Sequence, residues 1–513
     1  MNTNVVFPGL QKLGIGVALV NYNLRTSALV HTIITNPLKA LIVGEGEGFF
    51  QAVDEIKHDL DDLAVYVQGL PQTQLLPGYK SWDDLMHTSH PVPVCKSVRD
   101  EMFLDLPCCY INTSGTTGLS KPVIVSQRRA ISAYHFIQRL QLSENDIVYT
   151  SIPLYHSAAL CIGLFGVIYK GATIALRRKF SAHHFWEDCR RHKVTVAQYI
   201  GELCRYVLSV PESPLDVVHN VRAMIGNGLR RDIWAQFQNR FNVPHIVEFF
   251  GATEGPVVLF NVTNTVGAVG RLSPLLQWFQ SIKCHLIKYD PETEEAIRDK
   301  NGHCIEIKPG ENGLIICSIP EDSSRIGFYK ADENANEKKI LRDVFQKGDD
   351  YFLFGDVLHL DRDYFLYFVD RLGDTFRWKG ENVATYEVAN VLSKLDFIHD
   401  ANVYGVKIPG SEGRAGMAAI FLNDSIEVRP HMLDDIYTIC EDNLPQYARP
   451  LFLRFSREWD QTSTFKQRKY KFVQEGFNQA KVTDPLFYRN EKMKTYSQLN
   501  ASSLSTFLTK SRL

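Results

Sequence analysis

The sequence has almost no net charge, no apolar run as long as a typical membrane span and no cysteine pair of the C-x-x-C type. Its 513 residues include 56 Lys and Arg against 58 Asp and Glu, a formal net charge of −2. This balance produces no overall field that would favour nucleic acid, so we expect no nucleic-acid partner. The most apolar window, residues 160–176, is short for a span and contains Lys170. It favours a buried helix followed by a strand.

The ten cysteines are scattered along the chain. Cys108 and Cys109 are adjacent and cannot form an ordinary structural disulfide with each other. The distribution is typical of a reducing compartment and argues against a disulfide framework or a zinc site. The first residues show no signal-peptide pattern and run directly into amphipathic, core-like sequence. We therefore expect a chain that begins inside a domain.

Helical patterns alternate with short apolar runs such as "IVYTSIPL", "TVAQYIG" and "HIVEFFG". This alternation predicts βαβ units and a layered α/β domain. After about Asp349 the sequence changes to short strands and Gly-Asp turns, followed by the predicted helix "TYEVANVLSKL". We place a boundary near Asp370, with a large α/β domain over residues 1–370 and a small α+β domain over residues 371–513.

The stretch "YINTSGTTGLSK", residues 110–121, combines two glycines, several hydroxyls and one lysine. Glycines let the backbone approach an anion closely, so that N–H groups and hydroxyls can donate to its oxygens. The stretch is not G-x-x-x-x-G-K-[ST], because Lys121 follows Gly118 by three residues and no Ser or Thr comes next. Taken alone, a loop rich in Ser, Thr and Gly is more often an ordinary loop than an anion site. The groups that would bind phosphate are Thr113, Ser114, Gly115, Thr116, Thr117, Gly118 and Lys121.

Four further motifs accompany this loop: "EFFGATEG" with Glu254, "FGDVLHLD" with Asp356, "VDRLGDTFRWKGENV" with Asp370, and "TSTFKQRKY" with Lys466. Together they make the sequence resemble the acyl-adenylate-forming enzymes. It is most similar to the very long-chain acyl-CoA synthetases, also called fatty acid transport proteins. The segments that carry this closer resemblance are "DTFRWKGENVATYEV", "YHSAALCIG", "QYIGELCRY" and "GNGLR". The resemblance runs from about residue 8 to about residue 498.

The resemblance implies a ligase that uses ATP, Mg²⁺ and coenzyme A. The loop would hold the β- and γ-phosphates while the fatty acid carboxylate attacks the α-phosphate, giving acyl-AMP and pyrophosphate. Glu254 would be the Mg²⁺ ligand, Thr253 would lie beside the α-phosphate, and His156 beside the substrate carboxylate. The adenosine site would be formed by Gly226, Asn227 and Gly228 with Phe250 at the adenine, and Asp356 and Arg371 at the ribose hydroxyls.

For the small domain the resemblance implies two orientations. In the first, Lys466 would bridge the substrate carboxylate and AMP, where its charge stabilises the developing phosphorus centre. Rotation about Asp370 would then present Trp378 and Gly380 to a tunnel for the CoA pantetheine. Without the resemblance, an ordinary turn glutamate, a core histidine and a surface lysine would be the simpler interpretations of these residue types.

The sequence also departs from the family pattern. Phe250 replaces the usual tyrosine, which keeps a ring face for adenine but loses the phenol. Asn112, Ser120 and Gln127 replace residues common in and near the loop. Relatives have more chain before the position matching Phe7, so we expect the large domain to be partly truncated at its start. A naturally short form, a truncated gene model and a compensated variant all remain open.

The last three residues, Ser511, Arg512 and Leu513, are a variant of the Ser-Lys-Leu peroxisomal address. We expect a peroxisomal import receptor as partner and the peroxisome as location. The endoplasmic reticulum or another membrane surface is the alternative, because the resemblance also implies membrane association.

The function expected from the sequence is activation of long or very long-chain fatty acids as CoA thioesters, with coupling to fatty acid uptake left open. The alternatives are a bile-acid or branched-acid CoA ligase, or a fatty acid transport protein with impaired ligase activity.

Overall fold

The computed structural model places its described residues in two compact units. The residues it describes are 3–36, 38–46, 48–60, 63–100, 103–113, 121–132, 134–290, 293–319, 336–372, 374, 376–378, 381–409, 413–423, 426–457 and 469–500. The first unit lies within Met1–Thr265 and Pro320–Lys338, and the second within Val266–Ile319 and Lys339–Leu513.

The described part of the first unit contains three sheets. Their strand orders are β1-β5-β6, β2-β3-β4 and β12-β11-β10-β9-β7-β8. The strands are β1 (Val17–Leu19), β2 (Ala40–Val43), β3 (Ala64–Val67), β4 (Tyr79–Ser81), β5 (Pro107–Thr113), β6 (Lys121–Ser126), β7 (Ile147–Thr150), β8 (Thr173–Leu176), β9 (Val196–Ile200), β10 (Ala223–Asn227), β11 (Ile246–Phe250) and β12 (Leu259–Asn261).

The six-stranded sheet is parallel from β8 to β11, and only β12 runs antiparallel to its neighbour. Its strands β9, β10 and β11 are almost entirely buried and mainly apolar, as expected for a parallel sheet covered on both faces. Three of the apolar runs in the sequence predicted β7, β9 and β11, so the layered α/β interpretation is confirmed.

Helices connect and cover these strands. The α-helices are α1 (Thr3–Lys12), α2 (Thr26–Ile34), α3 (Phe49–Asp54), α4 (Trp82–Thr88), α5 (Lys96–Asp100), α6 (Gln127–Ser132), α7 (Tyr134–Leu140), α8 (Val167–Lys170), α9 (Phe185–Arg191), α10 (Gly201–Leu208) and α11 (Arg231–Phe241). Short 3₁₀ turns span Lys57–Asp59, Gln72–Gln74 and Pro214–Val217. Helix α11 shows why these segments are helical: Trp234, Phe237 and Phe241 recur at helical spacing and are buried on one side. Asn242 ends the helix with a left-handed conformation.

The apolar window over residues 160–176 folds as predicted into a helical segment and then a strand. Its first part is a π-helix, Ala159–Gly166, which continues directly into α8. Gly171, at φ +67°, ends the helix, and β8 follows. Among the described residues, no helix is long and apolar enough to cross a bilayer.

The described part of the second unit is also built on sheets. Its strands are β13 (Ala268–Arg271), β14 (Cys284–Ile287), β15 (Asn312–Ser318), β16 (Ile340–Arg342), β17 (Asp350–Leu360), β18 (Phe365–Arg371), β19 (Phe376–Trp378), β20 (Glu381–Val383), β21 (Ile398–Val406), β22 (Ala415–Leu422), β23 (Phe452–Phe455), β24 (Leu486–Asn490) and β25 (Thr495–Gln498). Its helices are α12 (Pro274–Phe279), α13 (Thr385–Leu392), α14 (Pro430–Asn443) and α15 (Tyr470–Glu475).

One sheet of this unit has the order β13-β18-β17-β15-β14, with β16 paired to β17, and another has the order β21-β22-β23-β24-β25. Helices α13 and α14 contribute side chains to the core beside the second sheet, including Val388, Leu392, Ile436 and Cys440. The helix predicted from "TYEVANVLSKL" is confirmed as α13. The boundary placed near Asp370 falls at the end of β18 and stays a prediction. All ten cysteines are free thiols.

Candidate active site

The parallel sheet of the first unit brings several predicted site residues to the carboxyl ends of its strands. In open α/β sheets, ligands bind outside the carboxyl ends of the parallel strands. Phe250 is the last residue of β11 and is partly exposed, and Gly228 follows β10 with φ +79°. His156 follows β7, and its ring centroid lies 4.5 Å from that of Tyr155. These three residues therefore lie at the edge of the sheet where a nucleotide site is expected.

The turn after β11 carries Thr253 and Glu254 and is held from two sides. Arg129 Nη2 donates to the carbonyl of Thr253 at 2.6 Å and to that of Gly255 at 2.9 Å. The hydroxyls of Ser157 and Thr253 share a hydrogen bond at 3.0 Å. Burial lowers the pKa of Arg129, and the negative charge of Glu254 acts in the opposite direction. The guanidinium thus fixes the backbone on both sides of the buried Glu254.

The chemistry of this turn fits Mg²⁺. Glu254 supplies a hard carboxylate oxygen, and no group of three His, Cys, Asp or Glu side chains that could hold a metal occurs in the described parts of the chain. Mg²⁺ commonly uses only one or two carboxylates and completes its shell with water and substrate phosphates. A single buried glutamate therefore fits Mg²⁺ that takes its other ligands from water and phosphate.

The phosphate loop is described only at its two ends. Thr113 ends β5, Lys121 begins β6, and the two residues pair directly across this antiparallel hairpin. Thr113 Oγ1 also donates to the Lys121 carbonyl at 3.3 Å. Residues 114–120 between them lie outside the described residues, so the predicted roles of Ser114, Gly115, Thr116, Thr117 and Gly118 stay predictions. The hairpin nevertheless brings together the two described members of the predicted phosphate site.

The predicted adenine wall, Gly226 to Gly228, rests on a buried carboxyl group that sequence reasoning missed. Glu248 in β11 is 1% exposed and accepts hydrogen bonds from the N–H groups of Gly228 and Leu229 and from the hydroxyl of Tyr199. Burial raises the pKa of Glu248 to about 8, although these hydrogen bonds act to lower it. Burial thus favours the protonated form of Glu248 in the folded chain, because the charged form would lose more hydration.

This raised pKa predicts a pH-dependent stability. The folded chain keeps the Glu248 proton up to about pH 8, whereas an unfolded glutamate loses it near its ordinary pKa of 4.5. Between these values the unfolded chain binds fewer protons, so the Glu248 contribution to the free energy of unfolding falls as pH rises, by at most about 1.4 kcal/mol per pH unit. Tyr199 and Cys204, which interact with this carboxyl group, have pKa values raised by burial. Neither titrates in this interval.

The measurement is the difference in thermal midpoint between the parent chain and Glu248→Gln, which cannot titrate at this position. We expect the thermal midpoint of the parent minus that of the variant to decrease steadily from about pH 5 to about pH 8. A difference that stays constant over this range would mean that Glu248 does not hold a proton in the folded chain.

In the second unit, Asp356 of β17 and Arg371 of β18 are register partners on adjacent strands. Arg371 Nε lies 3.9 Å from Asp356 Oδ1. The structure thus brings together the two residues predicted to hydrogen-bond the ribose hydroxyls. A carboxylate that accepts and a guanidinium that donates can each bind one of two vicinal hydroxyls.

The predicted hinge residue Asp370 is buried and firmly held. Its Oδ2 accepts from the Thr385 N–H at 2.5 Å and from the Thr385 hydroxyl at 2.9 Å. Lys469 Nζ donates to the same hydroxyl at 2.5 Å and lies 3.1 Å from Asp374 Oδ2. Burial raises the pKa of Asp370, and the charge of Lys469 opposes this. Rotation about Asp370 would therefore involve a defined set of hydrogen bonds within the second unit.

Among the other predicted residues of the second unit, Trp378 lies within the described residues. Trp378 of β19 is 7% exposed and packs in the core of the second unit. Gly380 and Lys466 lie outside the described residues, as do Ser511, Arg512 and Leu513. Their predicted roles stay predictions.

The chain matches two family models, "AMP-binding enzyme" over residues 2–319 and "AMP-binding enzyme C-terminal domain" over residues 387–466. It is therefore an AMP-binding enzyme with a large N-terminal and a small C-terminal domain. A solved structure supports the fold: O-succinylbenzoate coenzyme A synthetase (MenE) from Bacillus subtilis, in complex with ATP and magnesium ion. It superposes with a TM-score of 0.68 and 20% identity, over 91% of this chain and 86% of that one.

Two curated proteins are similar in sequence to almost the whole chain. The chain is 44% identical to long-chain fatty acid transport protein 2 of Rattus norvegicus, over 95% of this chain and 77% of that protein. It is 41% identical to long-chain fatty acid transport protein 6 of Homo sapiens, over 96% of this chain and 78% of that protein. The chain belongs to the long-chain fatty acid transport protein family, which confirms the resemblance drawn from its motifs.

Proposed function

We propose that the protein is an ATP-dependent, AMP-forming ligase that converts long or very long-chain fatty acids to their CoA thioesters. Family membership supports the reaction class and the fatty acid substrate. The observation that carries the proposal is the turn after β11. There Arg129 and Ser157 fix Thr253 and the buried Glu254 at the ligand-binding edge of a parallel sheet.

The predicted site residues that the structure describes can each be assigned a role in this reaction. Thr253 presents its hydroxyl towards the α-phosphate, and Glu254 would hold Mg²⁺. When bound, Mg²⁺ neutralises and orients the phosphate oxygens. Lys121 supplies a point charge for the outer phosphates. In the second unit, Asp356 and Arg371 are the residues that the family resemblance assigns to the ribose hydroxyls.

The proposal is tested by mixing the purified chain with ATP, Mg²⁺, coenzyme A and fatty acids of increasing length. Pyrophosphate release that depends on fatty acid, together with acyl-CoA formation, is the expected result. Bile acids and branched acids are included as competing substrates, because better turnover of either would identify a different CoA ligase. The chain-length series then defines the preferred substrate.

Fatty acid transport is a second candidate function, favoured by the names of the relatives. Formation of the thioester would itself trap a fatty acid after uptake, so a single activity could account for both. Uptake by cells that express the chain, measured beside thioester formation, separates the two. Uptake without pyrophosphate release would identify a transport protein that lacks ligase activity.

We also propose that Ser511, Arg512 and Leu513 direct the chain to peroxisomes. A receptor that reads this address requires a free C-terminus. Deleting the three residues from a chain with an N-terminal fluorescent tag should therefore abolish peroxisomal localisation. Moving the tag to the C-terminus should have the same effect and serves as the matched control. Unchanged import after the deletion would contradict the proposal, and a membrane location for both forms would favour the endoplasmic reticulum or another membrane surface.

A further inference from the structure

Three neighbouring strands place Tyr199, Gly226 and Glu248 in one row of the parallel sheet. Gly226 of β10 pairs with Tyr199 of β9 on one side and with Glu248 of β11 on the other. A methyl group at position 226 would lie 2.6 Å from the Tyr199 ring and 2.2 Å from its carbonyl oxygen. Glycine at the middle position thus leaves room for the Tyr199 ring. The phenol reaches across the middle strand and donates to Glu248 Oε2.

The second oxygen of Glu248 binds the turn that follows β10. Its Oε1 accepts from the N–H of Gly228 and, at 3.1 Å, from the N–H of Leu229. Gly228 has φ +79°, a left-handed conformation that favours glycine. A methyl group at Gly201, which begins α10, would lie 1.7 Å from the Gly228 carbonyl oxygen. The turn is therefore held by hydrogen bonds from one side and by close backbone contact from the other.

A role in packing alone does not account for this arrangement. Tyr199 and Glu248 are 2% and 1% exposed, and burying a carboxyl group costs free energy that an apolar pair of similar size would not. What a fully satisfied polar network adds is a unique geometry for the groups it binds. Here those groups are the N–H groups of Gly228 and Leu229, which follow the carboxyl end of β10, where ligands bind in such sheets.

We propose that Tyr199 and Glu248 are positioning residues that fix the end of β10 and the turn that follows it for an adenine nucleotide, and thereby set its affinity without touching it. This inference rests on the proposed function, because that function assigns the turn to the adenine site. The ligand class is an adenosine phosphate, and AMP is sufficient to probe it.

The test compares Tyr199→Phe with Tyr149→Phe in the full chain. Tyr149 is also buried in this sheet and donates to a carboxylate, Asp188 Oδ2 at 3.0 Å, away from the turn. Each variant loses one hydrogen bond between a buried phenol and a carboxyl group. Binding of AMP is measured by calorimetry in the absence of fatty acid and coenzyme A. We expect Tyr199→Phe to weaken AMP binding by about 3- to 10-fold, the range typical of one lost hydrogen bond, and Tyr149→Phe to leave it unchanged.

Glu248→Gln provides a conservative rescue. The glutamine carbonyl can still accept from Gly228 and Leu229, and its amide can donate to the Tyr199 oxygen, so AMP affinity should stay close to the parent value. If both tyrosine variants lost AMP affinity equally, or if Tyr199→Phe kept the parent affinity, the inference would be wrong and the proposed function would still stand. Failure of the parent chain to bind AMP would instead overturn the proposed function together with the inference.

Discussion

Replacing Glu254 with glutamine is expected to abolish acyl-CoA formation while leaving the fold intact. The glutamine has nearly the same size but no negative charge, so it binds Mg²⁺ poorly. Arg129 holds the turn through the backbone carbonyls of Thr253 and Gly255, and these contacts do not involve the Glu254 side chain. We therefore expect a loss of activity of at least about 100-fold with little change in thermal midpoint.

The measurement is fatty-acid-dependent pyrophosphate release over a range of Mg²⁺ concentrations. Glu187→Gln is the matched control, because Glu187 is an exposed glutamate on α9 of the same unit. It should behave like the parent chain. Normal turnover of Glu254→Gln at saturating Mg²⁺ would remove Glu254 from the metal site, and a large drop in thermal midpoint would assign it a structural role instead.

Much of the fold could be predicted because local sequence patterns reflect local structure. The apolar runs that became β7, β9 and β11 alternate with helices, as βαβ units require. The π-helix Ala159–Gly166 could not be predicted, because its continuous apolar sequence is equally compatible with an α-helix. The row formed by Tyr199, Gly226 and Glu248 was also missed, since it depends on strand register, which no motif in the sequence specifies.

In the candidate site, too, motifs identify some residues and only the structure identifies others. Motifs identified the turn that carries Glu254 and the pair Asp356 and Arg371, which proved to be register partners on adjacent strands. They did not identify Arg129, which lies in α6 and contacts Thr253 across 124 positions of the chain. Nothing in the sequence "QRRAIS" distinguishes Arg129 from a solvated surface arginine. Residues that act by holding a motif in place therefore require a structure, whereas residues that make up the motif do not.

Replacing Lys466 with alanine is expected to block the first half-reaction and to spare the second. Two negative reactants, the carboxylate and the α-phosphate, must meet in the first step, and the family resemblance puts the Lys466 charge between them. Loss of a charge that acts in the transition state should slow acyl-adenylate formation by on the order of 10²–10³-fold. When preformed acyl-AMP and coenzyme A are supplied, the variant should make thioester at close to the parent rate. Lys481→Ala, an exposed lysine of the same unit, is the matched control.

Gly380→Leu should behave in the opposite sense, because an added side chain would obstruct the predicted pantetheine tunnel while leaving adenylation largely intact. Pyrophosphate release and thioester formation are therefore assayed separately for each variant. Opposite patterns in the two variants would support distinct catalytic orientations of the small domain, in which the hydrogen bonds between Asp370 and Thr385 lie at the predicted hinge. If both variants lost both half-reactions equally, Lys466 and Gly380 would serve a single arrangement of the site, and domain rotation would not separate the two steps.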